Sequence, residues 1–573
     1  MNPNKTPARL ICTTLAAALL AACSPAPQQE GAGAARPAEP AAATPATQPP
    51  PAADATLATP QATRGAASAS AALRREYAPH TYLARPAPAP LPPDHYPAPQ
   101  AEDRENYASY RDNPVHATQA QPVSTFGVDV DTGSYTNVRR LLNEGRLPPA
   151  DAVRAEEFIN YFDYGYAPPP SRATPFSIAT EVAAAPWNPA RQLLKIGVQG
   201  WRVAPQEIPA ANLVFLIDTS GSMADRDKLP LLKGALKQLV AGLRAQDRVA
   251  IVTYAGEASM TLGSTPGDQK ARINAAIDGL QAAGSTNGGA GLDLAYAQAA
   301  KGFIQGGVNR ILLASDGDFN VGATDLDTLK DKIARQRQSG IALTTLGVGG
   351  GNFNDALAMQ LADAGNGSYH YLDSLREARK VLAGELSATL MTIARDVKIQ
   401  VEFNPAVVAE YRLIGYEKRA LAREDFNNDR VDAGEIGAGA NVTALYEITP
   451  VGAPQARLDP LRYGKPAAAA APGDELAFVR IRYKLPDAQA SRLVEQVVVN
   501  AAAPGQGSEG LRRAAAAAAF AQWLRGGKYL DGYTPAQIAA LAREARGADP
   551  QGLNAELAAL AELAAGLGTP AVQ

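Results

Sequence analysis

An uninterrupted apolar run, Leu213-Val214-Phe215-Leu216-Ile217, leads directly into Asp218-Thr219-Ser220-Gly221-Ser222. The run is too short for a helix and has no polar alternation, which predicts a parallel strand buried on both faces. Leu232, Leu236, Leu239 and Leu243 then recur at helical spacing, with Lys233, Lys237 and Arg244 on other faces. Further strands are predicted at Val249 to Tyr254, Ile311 to Ala314 and Ala342 to Val348. Helical segments fall between them, around Gln269 to Leu280, Leu292 to Ile304 and Leu326 to Gln338. This alternation predicts an α/β chain with a doubly wound, mostly parallel sheet. Such sheets bind ligands beyond the carboxyl ends of their strands, where the strand order reverses.

The turn after the first strand supplies one carboxylate and two hydroxyls, from Asp218, Ser220 and Ser222. These are oxygen ligands suited to a hard cation such as Mg²⁺. Two other loops offer oxygens at equivalent places: Gly284-Ser285-Thr286-Asn287-Gly288, and Ser315-Asp316-Gly317-Asp318 after a strand. Singly these are bland, because Ser-Gly-Ser and Asp-Gly are common turns and a Thr before glycines is often a helix cap. Their order and placement together point to a metal site. The pattern resembles the von Willebrand factor A (VWA) domain, a Rossmann-like fold, and its metal-ion-dependent adhesion site. The resemblance maps Asp218, Ser220 and Ser222 onto the first motif, Thr286 onto its threonine and Asp316 onto its final aspartate. It implies that the hydroxyls touch the metal, that the aspartates act largely through water, and that a partner's carboxylate completes the coordination. Mg²⁺ is the expected ion, with Mn²⁺ and Ca²⁺ as alternatives. Neutral hydroxyls leave the cation's charge incompletely compensated, so an open position favours an outside anionic oxygen.

The amino end carries Lys5 and Arg9, an apolar segment from Leu10, then Leu20-Ala21-Ala22-Cys23. Charge and length predict a secretory leader over residues 1–22, too short for a secure membrane span. Leu-Ala-Ala-Cys resembles the bacterial lipoprotein box, which implies cleavage before Cys23 and its acylation. Ser24 in place of Asp implies sorting to the outer membrane of a Gram-negative envelope. Cys12 leaves with the leader and Cys23 takes the lipid, so no disulfide is expected. Loss of Lys5 and Arg9 takes two positive charges from a formal −3, leaving −5. That mild acidity argues against nucleic acid as a partner. Residues 23–100, rich in Ala and Pro, cannot bury a core and are expected to form an extended tether.

The remainder is expected to divide into an N-terminal α+β module (101–210), the VWA domain (211–390), a β-rich platform (391–505) and a small helical cap (506–573). The first module contains Asp129-Val130-Asp131-Thr132-Gly133-Ser134-Tyr135 and Val153-Arg154-Ala155-Glu156-Glu157-Phe158-Ile159-Asn160-Tyr161-Phe162. With Ser315-Asp316-Gly317-Asp318-Phe319-Asn320 and the C-terminal part, it resembles the YfbK-like bacterial lipoproteins. Platform strands are predicted at Val397 to Val401, Val442 to Tyr446, Leu476 to Tyr483 and Leu493 to Val499. Helical spacing recurs from Leu511, and core packing is favoured over membrane binding because the cationic face is weak.

Two motifs are misleading. Asp129-Val130-Asp131 resembles a phosphatase nucleophile motif, but Gly133 stands where that motif needs Thr. Asp425 to Arg430 begins like an EF-hand loop, yet its sixth position is Arg430 and its twelfth Ile436; a β-hairpin excursion is expected instead. The histidines are His80, His95, His116 and His370, and no Gly-x-Ser-x-Gly elbow accompanies the last. No catalysis is therefore expected. The function expected is capture of an acidic group on a protein partner by an envelope-anchored lipoprotein. The alternative is a structural or assembly factor of the envelope in which the metal only stabilises the VWA domain.

Overall fold

The computed structural model describes residues 104–317, 319, 326–384, 391–459, 475–500 and 505–570. The expected leader, tether and acylated Cys23, together with Asp318 and Asn320, lie outside the described residues. Strands β1 (His116–Ala117), β2 (Val123–Gly127), β3 (Phe176–Ala185) and β4 (Asn188–Gly200) come first. Next are β5 (Ala211–Asp218), β6 (Arg248–Tyr254), β7 (Ala258–Pro266), β8 (Val308–Ser315), β9 (Ala342–Gly347) and β10 (Tyr369–Tyr371). The last group is β11 (Thr392–Phe403), β12 (Val408–Ile414), β13 (Ile436–Gly437), β14 (Asn441–Pro450), β15 (Glu475–Lys484) and β16 (Arg492–Val499). Helices α1 (Gly133–Asn143) and α2 (Ala155–Asn160) precede β3. Helices α3 (Leu229–Gly242), α4 (Lys270–Asp278), α5 (Gly288–Lys301), α6 (Leu326–Arg337), α7 (Asp355–Ala364) and α8 (Leu375–Arg379) belong with the middle group.

The middle strands form one sheet in the order β10-β9-β8-β5-β6-β7, parallel except for the β6–β7 pair. This is the expected doubly wound sheet. Leu213, Phe215 and Ile217 of β5 face α3 and α4, packing with Leu232, Leu236, Ile273 and Ile277. Val214 and Leu216 point the other way, onto Leu292 and Ala295 of α5 and Ile333 of α6. Both faces of β5 are thus covered, which is why its sequence lacks polar alternation. From β5 the chain builds outward through β6 and β7, then returns to place β8 on the other flank of β5. The switch in strand order therefore lies between β5 and β8.

The expected division between an N-terminal module (101–210) and a C-terminal platform (391–505) is corrected by the strand pairing. Strands β3 and β4 join β14, β12 and β1 in an antiparallel sheet, while β2 pairs with β11 beside β13, β15 and β16. Leu194, Ile196 and Val198 of β4 share a core with Ile399 and Val401 of β11 and Val479 and Ile481 of β15. Each segment alone would leave more strand edges unpaired and an apolar face uncovered, and interleaving pairs inner edges such as β4 with β14 and covers that face. The outer face of the β1-β12-β14-β4-β3 sheet packs on α1, α2 and the helices Glu509–Leu524, Pro535–Glu544 and Leu553–Leu567. Ala514 to Ala519 are all fully buried, and their small side chains let that helix approach α2 closely. The hairpin excursion expected around Asp425 is kept, because it joins two antiparallel neighbours, but its first flank is corrected: Val397 to Val401 lies in β11, in a different sheet from β14. The segment instead connects β12 to β14, and Lys398 Nζ donates to the carbonyls of Asp425 (3.0 Å) and Asn428 (2.6 Å).

Burial creates a pH-sensitive position in α2. Glu156 is 2% exposed, and its Oε2 accepts no hydrogen bond. Burial first, then the neighbouring charge of Glu417, pushes its carboxyl from 4.5 up to about 7. The folded state binds this proton more tightly than the unfolded chain, so the contribution is full below pH 4.5 and lost as pH rises through 7. Glu156→Gln is expected to stabilise the protein by about 2–3 kcal/mol at pH 8 and to change little near pH 4. Urea titrations at both pH values check this, and an equal effect at the two would rule out the carboxyl as the cause.

Candidate metal site

At the switch between β5 and β8, two strand ends each deliver a fully buried carboxylate, Asp218 and Asp316. The turn after β5 folds back on itself, with Ser220 N donating to Asp218 Oδ1 at 2.8 Å. That bond brings Ser220 Oγ to 3.1 Å from Ser222 Oγ. The turn is tied to neighbouring loops by Thr219 N to Tyr254 O (2.9 Å), Gly221 N to Gly284 O (3.0 Å) and Ala283 N to Thr219 O (2.8 Å). Ser315 links the two strand ends: its Oγ donates to Asp218 Oδ2 at 3.3 Å and accepts from Gly317 N at 3.1 Å.

Thr286 is half-buried, two residues beyond the Gly284 carbonyl that accepts from Gly221. The cap of α5 is Asn287, so Thr286 is not the helix cap that its bland reading proposed. Among the described residues no hydrogen bond joins its side chain to the other four. Helix α5 starts at Gly288, earlier than the expected Leu292, because glycines let it pack against aromatic rings. A Cβ on Gly288 would lie 2.6 Å from the Phe319 ring, and one on Gly291 2.8 Å from Tyr254 Cβ.

Three further residues take part, of which only Ser315 lies in a loop that the sequence points to. Lys228, just before α3, places Nζ 3.0 Å from Asp316 Oδ2 and 3.1 Å from Asn352 Oδ1. Asn352 Nδ2 donates to the same Asp316 oxygen at 3.2 Å. Ser315 is the third. Asn352 follows the end of β9, and the rule that ligands gather at strand ends of the switch would have pointed to it. Lys228 carried only the signal of a lysine at the head of an apolar helix beside a cation motif.

Burial pushes the Asp218 carboxyl up to about 6; the Asp316 charge adds to this, while bonds from Ser220 and Ser315 oppose it. Two buried carboxylates, converging hydroxyls and a common oxygen chemistry fit a hard divalent cation. Among the described residues no group of three or more His, Cys, Asp or Glu side chains could hold a metal, so any metal here depends on hydroxyl and water oxygens.

The other candidates serve the fold. Asp129 Oδ2 accepts from Arg419 at 2.7 Å, and Asp131 Oδ1 accepts from Tyr369 N at 2.8 Å. His370, on the edge strand β10, is buried with Nε2 2.9 Å from Ser368 Oγ, and burial pushes its imidazole down to about 4.

Family models match three consecutive stretches: von Willebrand factor (101–195), von Willebrand factor type A domain (212–383) and the C-terminal region of the uncharacterized protein YfbK (388–567). The Escherichia coli K12 protein YfbK is 52% identical over 473 residues, covering 80% of this chain and 81% of that protein. A solved von Willebrand factor type A protein from Catenulispora acidiphila is 16% identical with a TM-score of 0.37, covering 65% of this chain and 87% of its own. A mussel byssus protein, proximal thread matrix protein 1, solved with a zinc-occupied MIDAS motif, is 22% identical with a TM-score of 0.25, covering 31% and 45%. Neither structural likeness is close enough to carry an argument about the site. By its identity to YfbK over four-fifths of both proteins, this chain belongs to the YfbK family of VWA-domain proteins.

Proposed function

We propose that the protein is a non-catalytic, envelope-anchored binding lipoprotein that captures an acidic group on a protein partner through a divalent cation, Mg²⁺ foremost. Ser220, Ser222 and Thr286 would hold the ion directly, and Asp218 and Asp316 would hold it through water. The bound cation would supply a Lewis-acidic position for an outside carboxylate. The observation that carries this reading is the pair of fully buried carboxylates at the strand-order switch, with two hydroxyls 3.1 Å apart beside them. Lys228 offsets only one of the two buried negative charges, and the remaining one favours a further cation. Acylation of Cys23 and a tether over residues 23–100 would hold the site away from the membrane and within reach of a partner.

Asp218→Ala is expected to weaken Mg²⁺ binding at least about tenfold and to abolish partner capture, as EDTA should. Crosslinking in the native envelope, with and without EDTA, reads the second effect. Undiminished capture under both conditions would sink the metal bridge. The alternative assembly role draws support from the interleaved sheets, in which the segments on either side of the VWA domain are woven together. Under that role, Ser220→Ala combined with Ser222→Ala would lower the melting temperature but leave capture intact.

A further inference from the structure

Lys228 is 5% exposed and Asp316 is completely buried, so their 3.0 Å ion pair is shielded from water. The pair is built into its surroundings. Gly349 has a φ of +69°, and a Cβ there would lie 2.3 Å from Lys228 Cγ, so the loop after β9 is moulded to the lysine stem. The loop is fixed from the opposite side as well. A Cβ on Gly350 would sit 2.4 Å from Arg140 Nη1, and Gly351 N donates to Glu105 Oε1 at 2.8 Å. Its next residue, Asn352, contacts both Lys228 and Asp316. The ammonium is therefore held at the aspartate by a shaped slot.

We propose that Lys228 is a built-in counter-ion that makes cation binding at this site conditional on an anionic ligand from outside. The inference rests on the metal-dependent reading given above. Asp218, Asp316 and Lys228 together carry one net negative charge. A divalent cation placed among them turns that into one net positive charge, in a site that is poorly solvated. Such an excess is unfavourable until a carboxylate or similar anion arrives. Metal alone should bind weakly, and metal and anion should strengthen each other by the same factor. Without the lysine, the site would carry two negative charges and would neutralise a divalent cation unaided. The ammonium also compensates Asp316 before any metal binds, so the turn can form without the ion.

The test uses the full chain, with Mn²⁺ as the metal probe and sodium acetate as the anion probe at fixed ionic strength. Binding is read by electron paramagnetic resonance and melting by circular dichroism. Wild-type protein is expected to bind Mn²⁺ more tightly in acetate than in chloride. Lys228→Met should bind Mn²⁺ about tenfold tighter than wild type in chloride, with a reduced gain from acetate. In EDTA its melting temperature should fall below that of wild type, and Mn²⁺ should restore it. Lys228→Gln keeps a polar side chain of similar length and provides the same comparison if the methionine variant does not fold. Equal or weaker Mn²⁺ binding by the lysine variants, with binding lost in Asp218→Ala, would overturn the counter-ion role while leaving the metal site standing. Absence of Mn²⁺ binding in every form would overturn both, whereas lysine variants that stay unfolded at saturating Mn²⁺ would overturn the counter-ion role alone.

Discussion

Arg154→Met is expected to destabilise the protein by about 3–5 kcal/mol, because it strands two buried carboxylates. Arg154 is 1% exposed, and its partners Glu157 and Asp355 are completely buried. The guanidinium donates from Nε to Glu157 and in a two-pronged pair to Asp355, at 2.6 and 3.0 Å. Neutral donors complete the cluster: Ser134 N to Glu157 Oε2 and Tyr369 Oη to Asp355 Oδ1, each at 2.7 Å. Those donors cannot replace a full positive charge. Asp355 opens α7 beside the central sheet and Arg154 directly precedes α2, so the variant also loosens the junction between the two layers. Even with Arg154 present, burial holds the Glu157 carboxyl at about 7, above its ordinary 4.5. Removing the arginine raises it further, so the loss should be larger at pH 8 than at pH 5, where the carboxyl can take up a proton. Denaturant unfolding at the two pH values measures this. A loss below about 1 kcal/mol at pH 8 would mean that the cluster relaxes or admits water, and the junction argument would fail.

The same cluster shows what the sequence could and could not disclose. Strands β5, β6, β8 and β9 were legible because burial on both faces leaves an unbroken apolar run. The rule about strand ends points from those runs toward Asp218 and Asp316, and the loop motifs together with the resemblance to the VWA domain single them out. Residues that approach the site from elsewhere left no such trace. Lys228 and Asn352 matter through a geometry that exists only once the loop after β9 has folded over the lysine. The sheet interleaving was equally hidden. Strand β3, Phe-Ser-Ile-Ala-Thr-Glu-Val-Ala-Ala-Ala, has no clear period, because its inward and outward faces are both partly covered. Strand β4 pairs with β14, for example Ile196 with Ala444, and no local pattern encodes a partner so distant in the chain. Helix α1 misleads in the opposite sense. Arg139 and Arg140 suggest a solvent face, yet both are buried, and Arg139 alone meets Asp373, Glu377 and Glu556. A buried arginine looks like a surface one until its acidic partners are known, and here they come from a loop and two helices far along the sequence.

Gly317→Ala is expected to cost about 3 kcal/mol or more and to weaken metal binding, although the residue offers no side chain to the site. Its φ is +96°, a region that L side chains rarely adopt, and a Cβ would lie 2.1 Å from the backbone nitrogen of Asn354. Backbone cannot swing aside as a flexible side chain can. Either the peptide after Asp316 must rotate, or the Phe353–Asn354 segment must retreat and draw Asn352 with it. Rotation would break the 3.1 Å bond from Gly317 N to Ser315 Oγ, and that serine also contacts Asp218. Retreat would pull Asn352 from Asp316 and from Lys228. Both routes disturb the spacing of the two strand ends. Gly351→Ala supplies the control: its φ is +86°, but nothing lies within 4 Å of the added carbon. That variant should lose only the conformational cost of about 1–2 kcal/mol and should retain most of its Mg²⁺ affinity. Calorimetric titration with Mg²⁺ and denaturant unfolding of the two alanine variants separate backbone strain from steric displacement. If both variants bind Mg²⁺ equally well, close packing of the Asp316 loop against Asn354 is not what sets the geometry of the site.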